Sequence, residues 1–248
     1  MRLASLPAKI ARRILRVAEN LETGRPAKYR RFRDCYATVR ALHRVCPGPL
    51  RVLYDIGANE GHWAETFAAF YPKLESAILF EPSSRCSALL AALRFPGARI
   101  DIVPLALGRD GGSAVLIGDG ASASLRPATA LQEQFFPGSM AGAERPVEVT
   151  TLDRWVATSG MARPDIIKLD VQGAEADVLE GATETLATCR WLVTELSTVP
   201  LYAGQQLGGA TLDWLEKRGW RLADIGYRWL SPNGHLLQFD AILTRDAP

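Results

Sequence analysis

The stretch Val52-Leu53-Tyr54-Asp55-Ile56-Gly57-Ala58-Asn59-Glu60-Gly61 constrains this chain more than any other, because an apolar run of strand length passes directly into a glycine-bearing turn. Trp63, Phe67 and Phe70 then recur at helical spacing. A strand, tight turn and helix in that order place free backbone N–H groups and a helix N-terminus at the C-terminal edge of a sheet, where open α/β folds take up their ligands. The loop is therefore expected to hold a cofactor.

The residues at its corners select among cofactors. A dinucleotide loop requires G-x-G-x-x-G so that backbone can approach a pyrophosphate, and here Asn59 stands in place of the second glycine. Asp55 sets a carboxylate beside the ligand, which is unfavourable for a phosphate and favourable for an ammonium group. S-adenosylmethionine carries such an ammonium and no phosphate. The next apolar run, Ala77-Ile78-Leu79-Phe80-Glu81, ends on an acid, near the roughly 20-residue offset expected of a ribose-binding carboxylate. The expected cofactor set is Asp55, Gly57, Ala58, Asn59 and Gly61, with Glu81 and Pro82 after the second strand and Ala106 and Leu107 after the third.

Of the residues, 48% are apolar and 23% charged, ordinary for a globular protein, and no apolar run approaches the ~18 to 20 residues of a membrane span. Cys35, Cys46, Cys86 and Cys189 lie far apart, without the C-x-x-C pairs of a zinc or redox site, and are read as free thiols of a cytoplasmic protein. The net charge of +2 hides an asymmetry: residues 1–46 hold twelve Lys and Arg against Glu19, Glu22 and Asp34, which is 12 − 3 = +9 and leaves 2 − 9 = −7 for the rest. Residues 6–21 carry Ile10, Ile14, Val17 and Leu21 at helical spacing with Arg12, Arg13 and Arg16 largely off that stripe, and residues 29–45 predict a second basic helix. Such an arm suits packing on the domain or a second subunit, peripheral contact with anionic lipid, or, less well for want of aromatics, nucleic acid. Cys46-Pro47-Gly48-Pro49 breaks the chain, which divides it into a basic helical extension, 1–46, and a catalytic domain, 47–248.

Helix and strand signals alternate through the rest: a helix over 83–93 capped by Ser83 or Ser84, a third strand over 99–105, a hairpin turn at Asp110-Gly111-Gly112 leading to a strand over 114–117, and a strand at Pro146-Val147-Glu148-Val149-Thr150. A short helix over 152–156 capped by Thr150 or Thr151 follows, then a buried strand Ile166-Ile167-Lys168-Leu169-Asp170, a helix reaching about residue 186, and a strand over 191–195. A helix over 211–217 and strands over 220–226 and 237–243 complete the pattern. Alternation of this kind predicts an α/β, doubly wound, mostly parallel Rossmann-like sheet. Residues 118–144, rich in Gly, Ala and Ser, are a candidate lid.

Three motifs resemble the FkbM-type methyltransferases, a class I group that uses S-adenosylmethionine: the turn Asp55-Ile56-Gly57-Ala58-Asn59-Glu60-Gly61; Val147-Glu148-Val149-Thr150-Thr151-Leu152-Asp153-Arg154-Trp155; and Ile166-Ile167-Lys168-Leu169-Asp170-Val171-Gln172-Gly173-Ala174-Glu175 running on to Leu179-Glu180-Gly181-Ala182. The resemblance implies a seven-stranded sheet with a reversed final strand and methyl transfer usually to oxygen, often on a sugar or polyketide-like acceptor. It does not extend to the basic arm.

Methyl transfer to an alcohol needs donor and acceptor held in line and a base within about 2.6 to 3.2 Å of the hydroxyl. Asp170 and Glu195 end neighbouring strands and are the expected base candidates, Asp170 first, with Glu175 one turn into the next helix. Glu175 also suits a helix N-terminus for dipole reasons alone, and Glu195 could bind the cofactor's amino group instead. His62 at the start of the first helix has an apt pKa but equally suits packing, and Ser124 is a candidate ligand contact. No ligand spacing demands a metal, although a divalent cation between Asp170 and Glu195 remains an alternative. The expected activity is an O-methyltransferase of a small hydroxylated acceptor, a carbohydrate or glycolipid. A non-catalytic scaffold docking an anionic partner through the basic arm, and an RNA methyltransferase, are the competing readings.

Overall fold

The structure is a computed structural model that describes residues 32–245. The expected amphipathic helix over 6–21, and with it most of the basic arm, lies outside the described residues. A seven-stranded sheet runs in the order β3 (Arg99–Val103), β2 (Ser76–Phe80), β1 (Val52–Ile56), β7 (Ile166–Leu169), β8 (Trp191–Ser197), β10 (Leu236–Thr244), β9 (Arg221–Leu230). The pairs among the first five strands are parallel, and β10 lies antiparallel to both of its neighbours. The fold is thus the mostly parallel, doubly wound α/β sheet that the alternating pattern predicts, with its last strand reversed.

Side chains alternate across the sheet, because successive residues of a strand point to opposite faces. Leu53, Leu79, Ile166, Val193 and Ile242 meet one apolar layer, which includes residues of α1 (Arg33–Val45) and α2 (His62–Phe70). Tyr54, Ile56, Ile78, Phe80, Ile167, Leu169 and Leu192 meet the other, with residues of α5 (Leu152–Ser159), α6 (Glu175–Glu180) and α7 (Thr183–Thr188). Packing runs without interruption past the expected boundary at Cys46. Val39 and Leu42 of α1 are fully buried against the first layer, each contributing about 2 kcal/mol. Thr38 on the same helix donates to Asp240 of β10 and accepts from the Tyr227 N–H of β9 at 3.0 Å.

Three local expectations change. Asp110-Gly111-Gly112 does not close a hairpin: β4 (Ala106–Leu107) and β5 (Gly112–Leu116) flank β6 (Arg145–Thr150), parallel and antiparallel to it respectively, in a separate three-stranded sheet. Val147 of β6 packs with Ala106 and Leu116 there. The helix after Asp170 breaks at Gly181, whose carbonyl accepts from the Asp153 N–H, while the Asp153 carboxylate caps α7 through the N–H groups of Glu184 and Thr185. Neither Ser83 nor Ser84 caps α3 (Ser87–Ala92), which begins at Cys86 without a side-chain cap; the Ser83 N–H is bonded to Glu81 instead. Of the two threonines, Thr151 caps α5, accepting from the Arg154 N–H. Two further helices, α4 (Ala130–Phe135) and α8 (Gly208–Glu216), complete the described chain.

Candidate active site

The alternation that builds the core also builds the site. At the C-terminal ends of the parallel strands, the face covered by α1 and α2 changes from apolar to charged. Asp55 of β1 stands opposite Lys168 of β7 in register, and Glu195 of β8 stands opposite Asp240 of β10. Lys168 Nζ lies 3.4 Å from Asp55 Oδ1 and 3.4 Å from Asp170 Oδ2, and donates to the Gly57 carbonyl at 3.1 Å. Burial opposes the charge on Lys168, but the carboxylates of Asp170 and Asp55 outweigh it and hold its pKa above the ordinary value.

Asp55 therefore does not stand where the turn suggests. Its side chain is 0% exposed, it borders neither cavity described below, and it faces Lys168 rather than open space for a ligand's ammonium. Burial pushes its carboxyl up and Lys168 pulls it back. The loop's N–H groups are also engaged within the protein. Those of Gly57 and Ala58 donate to the Phe80 carbonyl at 3.0 Å, that of Asn59 to Glu81 Oε2 at 2.7 Å and that of Gly61 to the Ala58 carbonyl at 2.8 Å. Gly57 is required for a different reason: at φ +78° a Cβ there would lie 1.8 Å from the Asp170 carbonyl oxygen, so β1 and β7 can converge only over a glycine.

Two cavities meet at this convergence. A narrow slot of about 60 Å³ borders Phe80, Glu81, Pro82, Ala106, Leu107 and Leu125. A larger cavity of about 350 Å³ borders His62, Trp63, Phe136 and Trp229, and reaches Lys168, Glu195 and Asp240. Gly57, Asn59, Ala121, Asp170 and Gln172 border both. Among the described residues no Lys or Arg borders the slot, whereas Glu81, Asp119 and Asp170 do. That set of acceptors is wrong for a diphosphate and fits an uncharged nucleoside with a cationic tail. Glu81 accepts from the Asn59 and Ser83 N–H groups through its two oxygens, which fixes its carboxylate at the slot. Burial raises its pKa against those bonds. Residues of the candidate lid cover both openings: Ser122, Gln132 and Phe136 on the larger, Asp119, Gly120 and Ser124 on the slot.

Asp170 is the more open of the two acids that pair with Lys168, with 31% of its side chain exposed against 0% for Asp55. Glu195 is buried beside it; burial first, and then the neighbouring Asp170 carboxylate, push its pKa well above the ordinary range. Asp240 is raised to about 7, chiefly by burial. Glu175 lies away from both cavities. Its Oε1 accepts from the N–H groups of Val171 and Gly173 at 3.0 and 3.1 Å, so it holds the loop after Asp170 rather than facing an acceptor. Its pKa, raised to about 7 mainly by burial, reflects that enclosure. His62 borders the larger cavity, stacked on Phe32 at 3.5 Å. Ser124 is committed to protein partners, donating to the Gln172 carbonyl at 2.6 Å. Among the described residues no group of three His, Cys, Asp or Glu side chains is placed to hold a metal ion.

Residues 55–222 match the family of the methyltransferase FkbM domain. The chain belongs to the FkbM methyltransferase family. It is also 35% identical over 189 residues to the 2-O-methyltransferase NoeI of Sinorhizobium fredii (strain NBRC 101917 / NGR234), covering 71% of this chain and 75% of NoeI. Among solved structures it overlaps loosely with EvdMO1, at 13% identity and a TM-score of 0.47 over 86% of this chain and 41% of that one. The magnesium protoporphyrin IX methyltransferase ChlM of Synechocystis PCC 6803 with bound SAM gives 10% identity and a TM-score of 0.45, over 83% and 74% of the two chains.

Lys168, Gln172, Tyr202, Gln238 and Asp240 of this methyltransferase enter the site without having been singled out from the sequence. Lys168 had a legible signal, a charge inside the otherwise apolar run Ile166-Ile167-Lys168-Leu169. Asp240 had a similar one between Phe239 and Ala241. Gln238 and Tyr202 had none, since Gln238 donates to Glu195 at 2.6 Å and Tyr202 to Gln172 at 2.6 Å across 43 and 30 positions, and Gln172 joins the nearby Asp170 to the distant Glu195.

Proposed function

We propose that this FkbM methyltransferase transfers a methyl group from S-adenosylmethionine to a hydroxyl of a small, uncharged acceptor, a carbohydrate or the sugar of a glycolipid. The observation that carries the reading is the meeting, at Gly57, Asn59 and Asp170, of a larger cavity and a slot that no basic side chain among the described residues borders. Glu81 would receive the ribose hydroxyls, and Phe80, Leu107 and Leu125 the base. When bound, the cofactor supplies a methyl carbon made electrophilic by a sulfonium. The chain's part is to orient the acceptor, exclude water and take the hydroxyl proton. Asp170, the exposed carboxylate at the junction, is the base we favour. Glu195, pushed toward its protonated form, is better suited to donate a hydrogen bond to the acceptor.

The aromatic side chains of Trp63 and Trp229 and the acids Asp34, Glu60 and Asp240 around the larger cavity suit a polyol. They disfavour a phosphate-bearing acceptor such as RNA, whose binding depends on cationic contacts. Oxygen as the accepting atom is supported by the similarity to NoeI, which is named a 2-O-methyltransferase. Titration calorimetry with S-adenosylmethionine should give a heat of binding, and Glu81→Ala should weaken binding about tenfold. Neutral oligosaccharides incubated with labelled donor should gain methyl ethers detectable by mass spectrometry. Folded protein that binds no donor at high micromolar concentration overturns the reading.

A further inference from the structure

Gln172 stands at φ +54°, a left-handed conformation that costs a residue with a Cβ and persists only where its surroundings over-determine it. Here they do. On its C-terminal side Gly173, at φ +98°, packs so closely on Tyr202 that a Cβ would lie 2.7 Å from the tyrosine's own Cβ. Glu175 draws in the N–H groups of Val171 and Gly173 on either side, and Ser124 Oγ donates to the Gln172 carbonyl at 2.6 Å.

The side chain is as constrained as the backbone. Its Nε2 donates to Asp170 Oδ1 at 2.6 Å and to Glu195 Oε2 at 3.1 Å, and its Oε1 accepts from the Tyr202 hydroxyl at 2.6 Å. The chemistry of the partners dictates this orientation, since the Asp170 carboxylate can only accept, Glu195 Oε2 already accepts from Gln238 Nε2 at 2.6 Å, and the phenol has a proton to give. Tyr202 is fully buried, and burial raises its pKa, so it keeps that proton. The same hydroxyl lies 3.2 Å from the Ser122 carbonyl and accepts from Gln132 Nε2 at 3.3 Å. Ser122, Ser124 and Gln132 all belong to residues 118–144, the cover of both cavities.

We propose that Gln172 is a positioning residue whose carboxamide, oriented by Tyr202, holds Asp170 and Glu195 together at the junction of the cavities and ties that arrangement to the docking of residues 118–144. When the segment is docked, Ser124 and Tyr202 fix Gln172 and the two acids converge. When it lifts, as a slot of about 60 Å³ requires if it is to reach the roughly 300 Å³ at which small-molecule pockets begin, Gln172 loses the Ser124 bond and Tyr202 loses Ser122 and Gln132, so the donor shared by the two acids is less firmly oriented. The site would thus be assembled only under cover, which keeps water from the donor.

The inference concerns the same site as the proposed methyl transfer, but its first test needs no substrate. Hydrogen exchange at the amides of residues 118–144 in the full chain without ligand should quicken about tenfold in Tyr202→Phe and in Ser124→Ala. It should also quicken several-fold in Asp170→Ala, which forms no hydrogen bond to that segment, because coupling is reciprocal. The second test is kinetic, with an acceptor in hand. In Tyr202→Phe the carboxamide loses the donor to its oxygen and can swing away from Asp170 and Glu195, so the acid limb of the kcat/KM profile should move up by about one pH unit, with KM for the donor unchanged. Lys168, Asp240 and Glu175 also face Glu195 and stay constant in that comparison. Faster exchange in all three variants without any methyl transfer upholds the relay and overturns the proposed reaction. Methyl transfer with exchange in residues 118–144 unaltered by Asp170→Ala, or with the acid limb unmoved in Tyr202→Phe, overturns the relay alone.

Discussion

Lys168 brings a positive charge into a strand whose other members are Ile166, Ile167 and Leu169, and retains it because Asp55 and Asp170 each lie 3.4 Å away. Taking charges out of water costs several kcal/mol apiece, so a buried set of this kind is stable only while complete. Lys168→Met should lower the unfolding free energy in urea by about 3 to 5 kcal/mol. Adding Asp55→Asn should recover part of the loss by removing the uncompensated carboxylate; no recovery would mean that the two charges are not an energetic pair. Glu175 makes a different prediction. Its folded pKa of about 7 exceeds its ordinary 4.5, so its stabilising contribution is complete below pH 4.5 and is lost as pH rises through about 7. The difference is on the order of 3 kcal/mol, and Asp240, also raised to about 7, acts in the same direction. Glu175→Gln, whose amide oxygen can still accept from Val171 and Gly173, should flatten the dependence of thermal stability on pH between 4.5 and 7. Helical spacing alone put Glu175 beside the base. It could not reveal that the positive φ at Gln172 turns two neighbouring N–H groups toward the Glu175 carboxylate.

At the scale of elements, α1 forms a wall of the larger cavity through Phe32, Asp34 and Cys35, while its buried side packs on the sheet. The family match begins at residue 55 and ends at 222, so this wall and that of Trp229, Gln238 and Asp240 both lie outside it. Acceptor selectivity is expected to reside there. Thr38 joins the two walls, donating to Asp240 and accepting from the Tyr227 N–H. Thr38→Val keeps the shape but removes the partner of a part-buried N–H group, and should destabilise the protein by about 1 kcal/mol in urea denaturation. It should also raise the Asp240 pKa further, since that hydrogen bond is what lowers it. Helix spacing announced α1 correctly. The three-stranded sheet was not legible, because a turn of Asp110-Gly111-Gly112 marks a reversal of the chain without saying whether a third strand will enter between its arms.

For the whole molecule, the slot proposed for the donor draws on β1, β2, β4, the turn after β7 and the segment between β5 and β6, so ligation should stabilise the fold rather than one loop. At a donor concentration one hundred times Kd the stabilisation is about 2.7 kcal/mol. A protein of this size should then melt about 5 to 10 °C higher in differential scanning fluorimetry, and Gly57→Ala should abolish that rise. What the amino-acid sequence by itself determined is the part governed by short-range physics: strands from apolar alternation, helices from their 3.6-residue period, the glycine at the β1 turn, and carboxylates at four strand ends. Only the tertiary structure decided which of those carboxylates meet a ligand and which meet Lys168. That outcome depends on which face of the sheet α1 and α2 cover, and on partners such as Thr38 and Asp240 that stand 202 positions apart. Burial and neutralisation of a charge are properties of the assembled surroundings, and no local run of residues contains them.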